Sequence, residues 1–183
     1  MTLTLPTALT LFRIVLIPVF GLCFLLSSPW TNILTVAVFL LAAVTDWLDG
    51  YLARRLGQSS DFGAFLDPVA DKLMVAVALI ALVSVYPGVW MAIPAAVIVG
   101  REIAVSALRE WMAEIGKRAS VAVNQLGKFK TVMQMAAIAM LLYREPLLGV
   151  PVPQLGFILL WLSALLTLYS AYVYVRAALR VLD

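Results

Sequence analysis

The stretch DWLDGYLARRLGQSSDFGAFLDPVAD, residues 46–71, holds five aspartates between two long apolar runs. On a helix turning about 100° per residue, Asp46, Asp49, Gly50 and Ala53 share one face, with Arg54 beside it. On the next helix Gly63, Asp67 and Asp71 fall on one stripe by i, i+4 spacing. Two helices thus each present a pair of carboxylates, and each face carries a glycine that leaves room for a ligand or for close helix approach. Four carboxylates drawn together repel one another and raise each other's pKa, which a divalent cation relieves. All-oxygen donors select hard ions such as Mg²⁺, Mn²⁺ or Ca²⁺. Two such ions about 3.5–4 Å apart would clamp a displacement at phosphorus, and Arg54 would add a fixed cation for phosphate. The plainer alternative is a set of interfacial acids paired with Arg54, Arg55 and Lys72. Asp61 falls outside both faces and reads as a helix cap.

The elements that must position these residues are membrane spans. Of the 183 residues, 64% are hydrophobic and only 13% charged, against about half and a quarter in a soluble domain. Six apolar segments of spanning character run over about 8–26, 32–46, 65–85, 89–110, 127–143 and 155–179. The expectation is an all-α polytopic membrane protein with six transmembrane helices and a single domain over residues 1–183. The connecting pieces are too short for a second domain, and the N-terminus lacks the pattern of a cleaved signal. PTALTLFR reads equally as an interfacial amphipathic segment or as the start of the first span. Pro68 either lies close to the start of the third span or bends it beside Asp67.

Charge and composition narrow the classes further. There is no histidine, so acid–base chemistry must run through carboxylates, Lys, Tyr or water. The one cysteine, Cys23, excludes an intramolecular disulfide. The net charge of +3 gives no case for nucleic acid. Every Lys and Arg except Arg144 falls on the side that holds both termini, which is expected to face the cytoplasm. Trp30, Tyr86, Trp90 and Trp111 lie near the expected interfaces and read as belt residues. A helix from Asn32 to Asp46 rises about 21 Å, against a hydrocarbon core about 30 Å thick. Asp46 is therefore expected in a polar cavity just inside the cytoplasmic boundary, where a lipid headgroup and a soluble molecule can meet. A cation transporter is the competing class, but such sites tend to lie near the midplane.

The pattern Asp46-x-x-Asp49-Gly50-x-x-Ala53-Arg54, eight residues, Gly63-x-x-x-Asp67-x-x-x-Asp71 resembles the complete signature of the CDP-alcohol phosphatidyltransferases. PTALTLFR, REIAVSALREWMAEIGKR and GKFKT are similar to the bacterial members that make phosphatidylglycerophosphate. The resemblance implies a six-helix fold in the bacterial cytoplasmic membrane, among membrane lipids, usually dimeric. It implies transfer of a phosphatidyl group from CDP-diacylglycerol to sn-glycerol 3-phosphate with release of CMP. By motif position Asp46, Asp49 and Asp67 resemble ligands of Mg²⁺ or Mn²⁺, and two ions are expected. Asp71 resembles a ligand of the second ion and the general base. Gly50, Arg54 and Ser60, with Ala53 and Gly63 of the signature and the pair Thr10 and Arg13, would line the CDP pocket.

The acceptor's own phosphate then needs a second cationic pocket, for which Arg101, Arg109 and Lys128 are the candidates, with Arg176 a fourth. Glu102 would orient Arg101 or pair with a neighbour. These basic residues argue against serine as acceptor; inositol phosphate, also anionic, stays open. No residue stands out as a covalent nucleophile, so direct attack of the acceptor is expected.

Overall fold

The computed structural model of the chain describes residues 5–26, 28–56, 61–116 and 125–182. Six helices follow one another: α1 (Leu5–Leu25), α2 (Thr31–Leu56), α3 (Asp61–Val85), α4 (Val89–Glu114), α5 (Gln125–Tyr143) and α6 (Val152–Leu182). No strand occurs among the described residues; one isolated bridge joins Leu147 and Val150 in the turn between α5 and α6. PTALTLFR is continuous with α1 rather than a separate surface helix. α3 begins at Asp61, so Pro68 lies inside it. A proline there cannot donate to the carbonyl one turn back, which loosens the helix beside Asp67.

Among the described residues five helices are long and apolar enough to cross a membrane, and the chain is a multi-pass membrane protein. α5, Gln125–Tyr143, is 19 residues long and rises about 28 Å at 1.5 Å per residue; its Phe129–Tyr143 part is apolar helix. Its first turns carry Lys128, Lys130 and Gln134, so that end of α5 is polar.

The packing order explains how distant residues meet. α1 lies against both α2 and α3, while α2 and α3 touch each other only sparingly. α5 packs chiefly on α6, and α4 joins α6 to α3. The buried centre consists of Phe20, Phe39, Leu79, Ile98, Ile138, Leu141 and Leu160. The outer surface is equally apolar: Leu22, Phe65, Ile80, Leu148 and Trp90 are exposed. An apolar exterior is costly in water and neutral against lipid tails.

Neighbours on α3 separate the two environments. Leu79 is 0% exposed and Ile80 is 67% exposed. Leu79→Ala should destabilise the protein by about 2–5 kcal/mol, as buried leucine truncations do. Ile80→Ala should leave the melting temperature in lipid nanodiscs nearly unchanged, because lipid refills the space.

Candidate active site

Each half of the aspartate pattern folds as a helix end. Asp46 and Asp49 lie in the last turns of α2, and Asp67 lies in α3 beside Pro68. Because α2 and α3 barely touch, their carboxylates meet across the N-terminal half of α1. One oxygen from each of Asp46, Asp49 and Asp67 lies within 4.8 Å of the others. Asp49 is buried, whereas the side chains of Asp46 and Asp67 are each 42% exposed. The cluster is therefore closed on one side and open on the other.

Arg13 of α1 sits at its centre. Its Nη1 lies 2.7 Å from Asp46 Oδ1 and 3.1 Å from Asp67 Oδ1, and its Nη2 donates to Asp49 Oδ2. Thr10, one turn earlier, donates to the same Asp49 oxygen at 3.4 Å. The T-x-x-R pair thus lies on the aspartates rather than apart from them. Three carboxylates against one guanidinium leave an excess of two negative charges. Clustered carboxylate oxygens with excess negative charge, already drawn around one cation, suit a hard divalent ion.

Asp71 stands outside this group. It is half-buried, within electrostatic reach of Asp46, Arg13, Glu102 and Asp67, and forms no ion pair with a described residue. Gly50 and Gly63 are half-buried on their helices. Ser60 lies outside the described residues, as do the side chains of Ala53, Arg54, Asp61 and Lys128.

A second polar cluster adjoins the first through Asp71 and Glu102. Arg101 Nη1 donates to Glu102 Oε1 at 3.0 Å, and Lys130 Nζ reaches the same oxygen at 3.4 Å. Arg101 Nη2 donates to Ser170 Oγ of α6 at 2.9 Å. Lys72 Nζ donates to Ser106 Oγ one turn along α4. Lys130 and Gln134 are buried, and among the described residues Gln134 Oε1 and Arg101 Nε have no hydrogen-bond partner. Of the expected acceptor residues whose side chains are described, Arg101 alone reaches this cluster. Arg109 is exposed further along α4, its guanidinium 5.7 Å from the Tyr174 ring, and Arg176 is exposed on α6. Glu102 does both things expected of it, holding Arg101 and pairing with a neighbour.

Lys130 was legible but overlooked. It heads the buried stripe Lys130, Gln134, Ala137, Ile138 and Leu141 of α5, whose spacing is that of one helix face.

The sequence profile of the CDP-alcohol phosphatidyltransferases matches residues 3–169, and the chain belongs to that family. Among its relatives, proteins of Pectobacterium atrosepticum and Escherichia coli K12 are 52% and 51% identical to it over 178 residues. The alignment covers 97% of this chain and 96% of each relative. A Shigella flexneri protein is similar to the same extent, at 51%. All three relatives bear the name CDP-diacylglycerol–glycerol-3-phosphate 3-phosphatidyltransferase.

The geometry of the basic cluster predicts an energetic coupling. A double-mutant cycle between Glu102→Gln and Lys130→Met, read from thermal unfolding in nanodiscs, should give a coupling of about 0.5–3 kcal/mol, as for residues in contact. The same cycle between Glu102→Gln and Arg109→Met should be additive within about 0.5 kcal/mol.

Proposed function

We propose that this protein transfers the phosphatidyl group of CDP-diacylglycerol to sn-glycerol 3-phosphate, giving phosphatidylglycerophosphate and CMP. One observation carries the proposal: a cluster of three carboxylates, open on one side, adjoins a cluster of cations in which Lys130 is buried and Arg101 half-buried. The first suits a metal-bound pyrophosphate and the second a free phosphate monoester. Family membership and the names of the relatives support the same reaction.

Asp46, Asp49 and Asp67 are the residues that would hold Mg²⁺ or Mn²⁺, with Asp71 a ligand of a second ion. When bound, such ions neutralise the pyrophosphate and stabilise the departing CMP. Gly50, Ala53, Arg54, Ser60 and Gly63, with Thr10 and Arg13, form the proposed CDP pocket. Asp71, free of an ion pair to a described residue, takes the proton from the acceptor hydroxyl. The hydroxyl oxygen bonds to the phosphorus that carries diacylglycerol, and the bond from that phosphorus to the CMP oxygen breaks. Arg101 and Lys130 hold the acceptor's phosphate, Glu102 keeps both in place, and Lys72 flanks them. Lys128, Arg109 and Arg176 would act further out, drawing the anion in. Direct attack inverts the configuration at phosphorus.

The distribution of Lys and Arg supports an orientation with both termini and the site on the cytoplasmic side of a bacterial inner membrane. The chain is read as one catalytic domain over 1–183 that works as a homodimer, as the resemblance implies.

The decisive assay supplies CDP-diacylglycerol with glycerol 3-phosphate, inositol phosphate or serine and identifies the lipid formed. Phosphatidylglycerophosphate, made only when a divalent ion is present, is the expected product; a lipid made preferentially from either other acceptor would refute the proposed acceptor. Asp71→Asn should lower kcat by about 10²–10⁴-fold, the usual contribution of a positioned base. Lys130→Ala and Arg101→Ala should each raise the KM for glycerol 3-phosphate about tenfold or more, by loss of a charge-assisted hydrogen bond. The KM for CDP-diacylglycerol should stay near the wild-type value in both.

A further inference from the structure

Arg13 touches one oxygen of each of three carboxylates that come from two different helices. It is 1% exposed, and its Nε is buried without a partner among the described residues. A buried guanidinium is costly unless paired, and this one is paired only through its two terminal nitrogens. Those nitrogens lie on oxygens of the same three carboxylates that a hard cation would use. Such an ion binds carboxylate oxygen at about 2.1 Å. With Nη1 2.7 Å and 3.1 Å from two of the oxygens, ion and guanidinium would lie only a few ångströms apart. Like charges so placed at a poorly solvated level repel strongly.

We propose that Arg13 is a resident counter-cation of the metal-free site: it holds the three carboxylates together and withdraws when a divalent ion binds. The proposal rests on the reading that Asp46, Asp49 and Asp67 ligate that ion. Arg13 then has two opposed effects. It keeps mutually repelling acids in place before metal arrives, and it weakens metal binding because the ion must displace it. The apparent affinity is lowered by the fraction of molecules in which the guanidinium covers the oxygens. A divalent ion meets that competition with twice the charge of a monovalent one, so the device also discriminates against Na⁺ and K⁺.

The test uses the full chain in nanodiscs with Mn²⁺ alone as probe, and binding followed by electron paramagnetic resonance. Wild type, Arg13→Gln, Arg13→Lys and Asp67→Asn are compared. Arg13→Gln should bind Mn²⁺ at least tenfold more tightly than wild type. It should also melt lower without metal and gain more in melting temperature when Mn²⁺ is added. Arg13→Lys, which keeps the charge but cannot fork across three acids, should fall between. If Arg13→Gln does not survive without metal, it is purified in Mn²⁺ and stripped with chelator, and its Mn²⁺ should leave more slowly than from wild type. Equal or weaker Mn²⁺ binding, or equal or faster release, in Arg13→Gln overturns the proposal and makes Arg13 a fixed scaffold. The underlying reading fails separately: wild-type Mn²⁺ binding that Asp67→Asn leaves intact would show that the ion sits elsewhere.

Discussion

A carboxylate at the edge of a bilayer must be neutralised where it stands, because moving it into water would unmake the helix that carries it. In this protein the neutralising group comes from a third helix. Asp49 and Asp67 belong to helices that barely meet, and Arg13 of α1 spans the gap between them. The placement of α1 between α2 and α3 therefore follows from charge as much as from the fit of Phe20 and Phe39 in the core. The lipid-facing surface does little to hold the helices together, since tails solvate Ile80 or Leu22 as well as another helix would. Polar contacts such as those of Arg13 and Arg101 fix which helix lies beside which.

Much of this was legible in the chain before any coordinates. The i, i+3 and i, i+4 spacing of aspartate and glycine placed two carboxylate pairs on two faces, and three of the four carboxylates do converge. The number of helices followed from apolar run length. What spacing along a helix does not reveal is a partner 36 or 54 residues away. Thr10 and Arg13 stood out as a pair, but their contact with Asp49 depends on α1 being threaded between α2 and α3. Tertiary arrangement decided that, not local pattern.

The basic side was read less well, for a reason of periodicity. Residues three or four apart share a helix face, which puts Lys130 on the face of Gln134 and Leu141. The stripe of buried residues identifies Lys130. Arg109 has the right type and charge but sits two turns beyond Arg101, against the Tyr174 ring.

The two clusters share a design. The acidic one is held by a cation, Arg13, and the basic one by an anion, Glu102, each binding several partners of opposite sign through a single group. Such pairing lets a membrane protein fold with its reactive charges in place before any ligand arrives. It also sets what a ligand must bring. A metal ion or a phosphate gains affinity only by the margin over the internal partner already there, so weakly charged species gain nothing. On the proposed roles, binding energy used to displace Arg13 or to share Arg101 and Lys130 with Glu102 would be withheld from the ground state. Asp71, within reach of both clusters and paired with neither Arg13 nor the lysines among the described residues, is the acid whose charge remains uncommitted where the two substrates would meet.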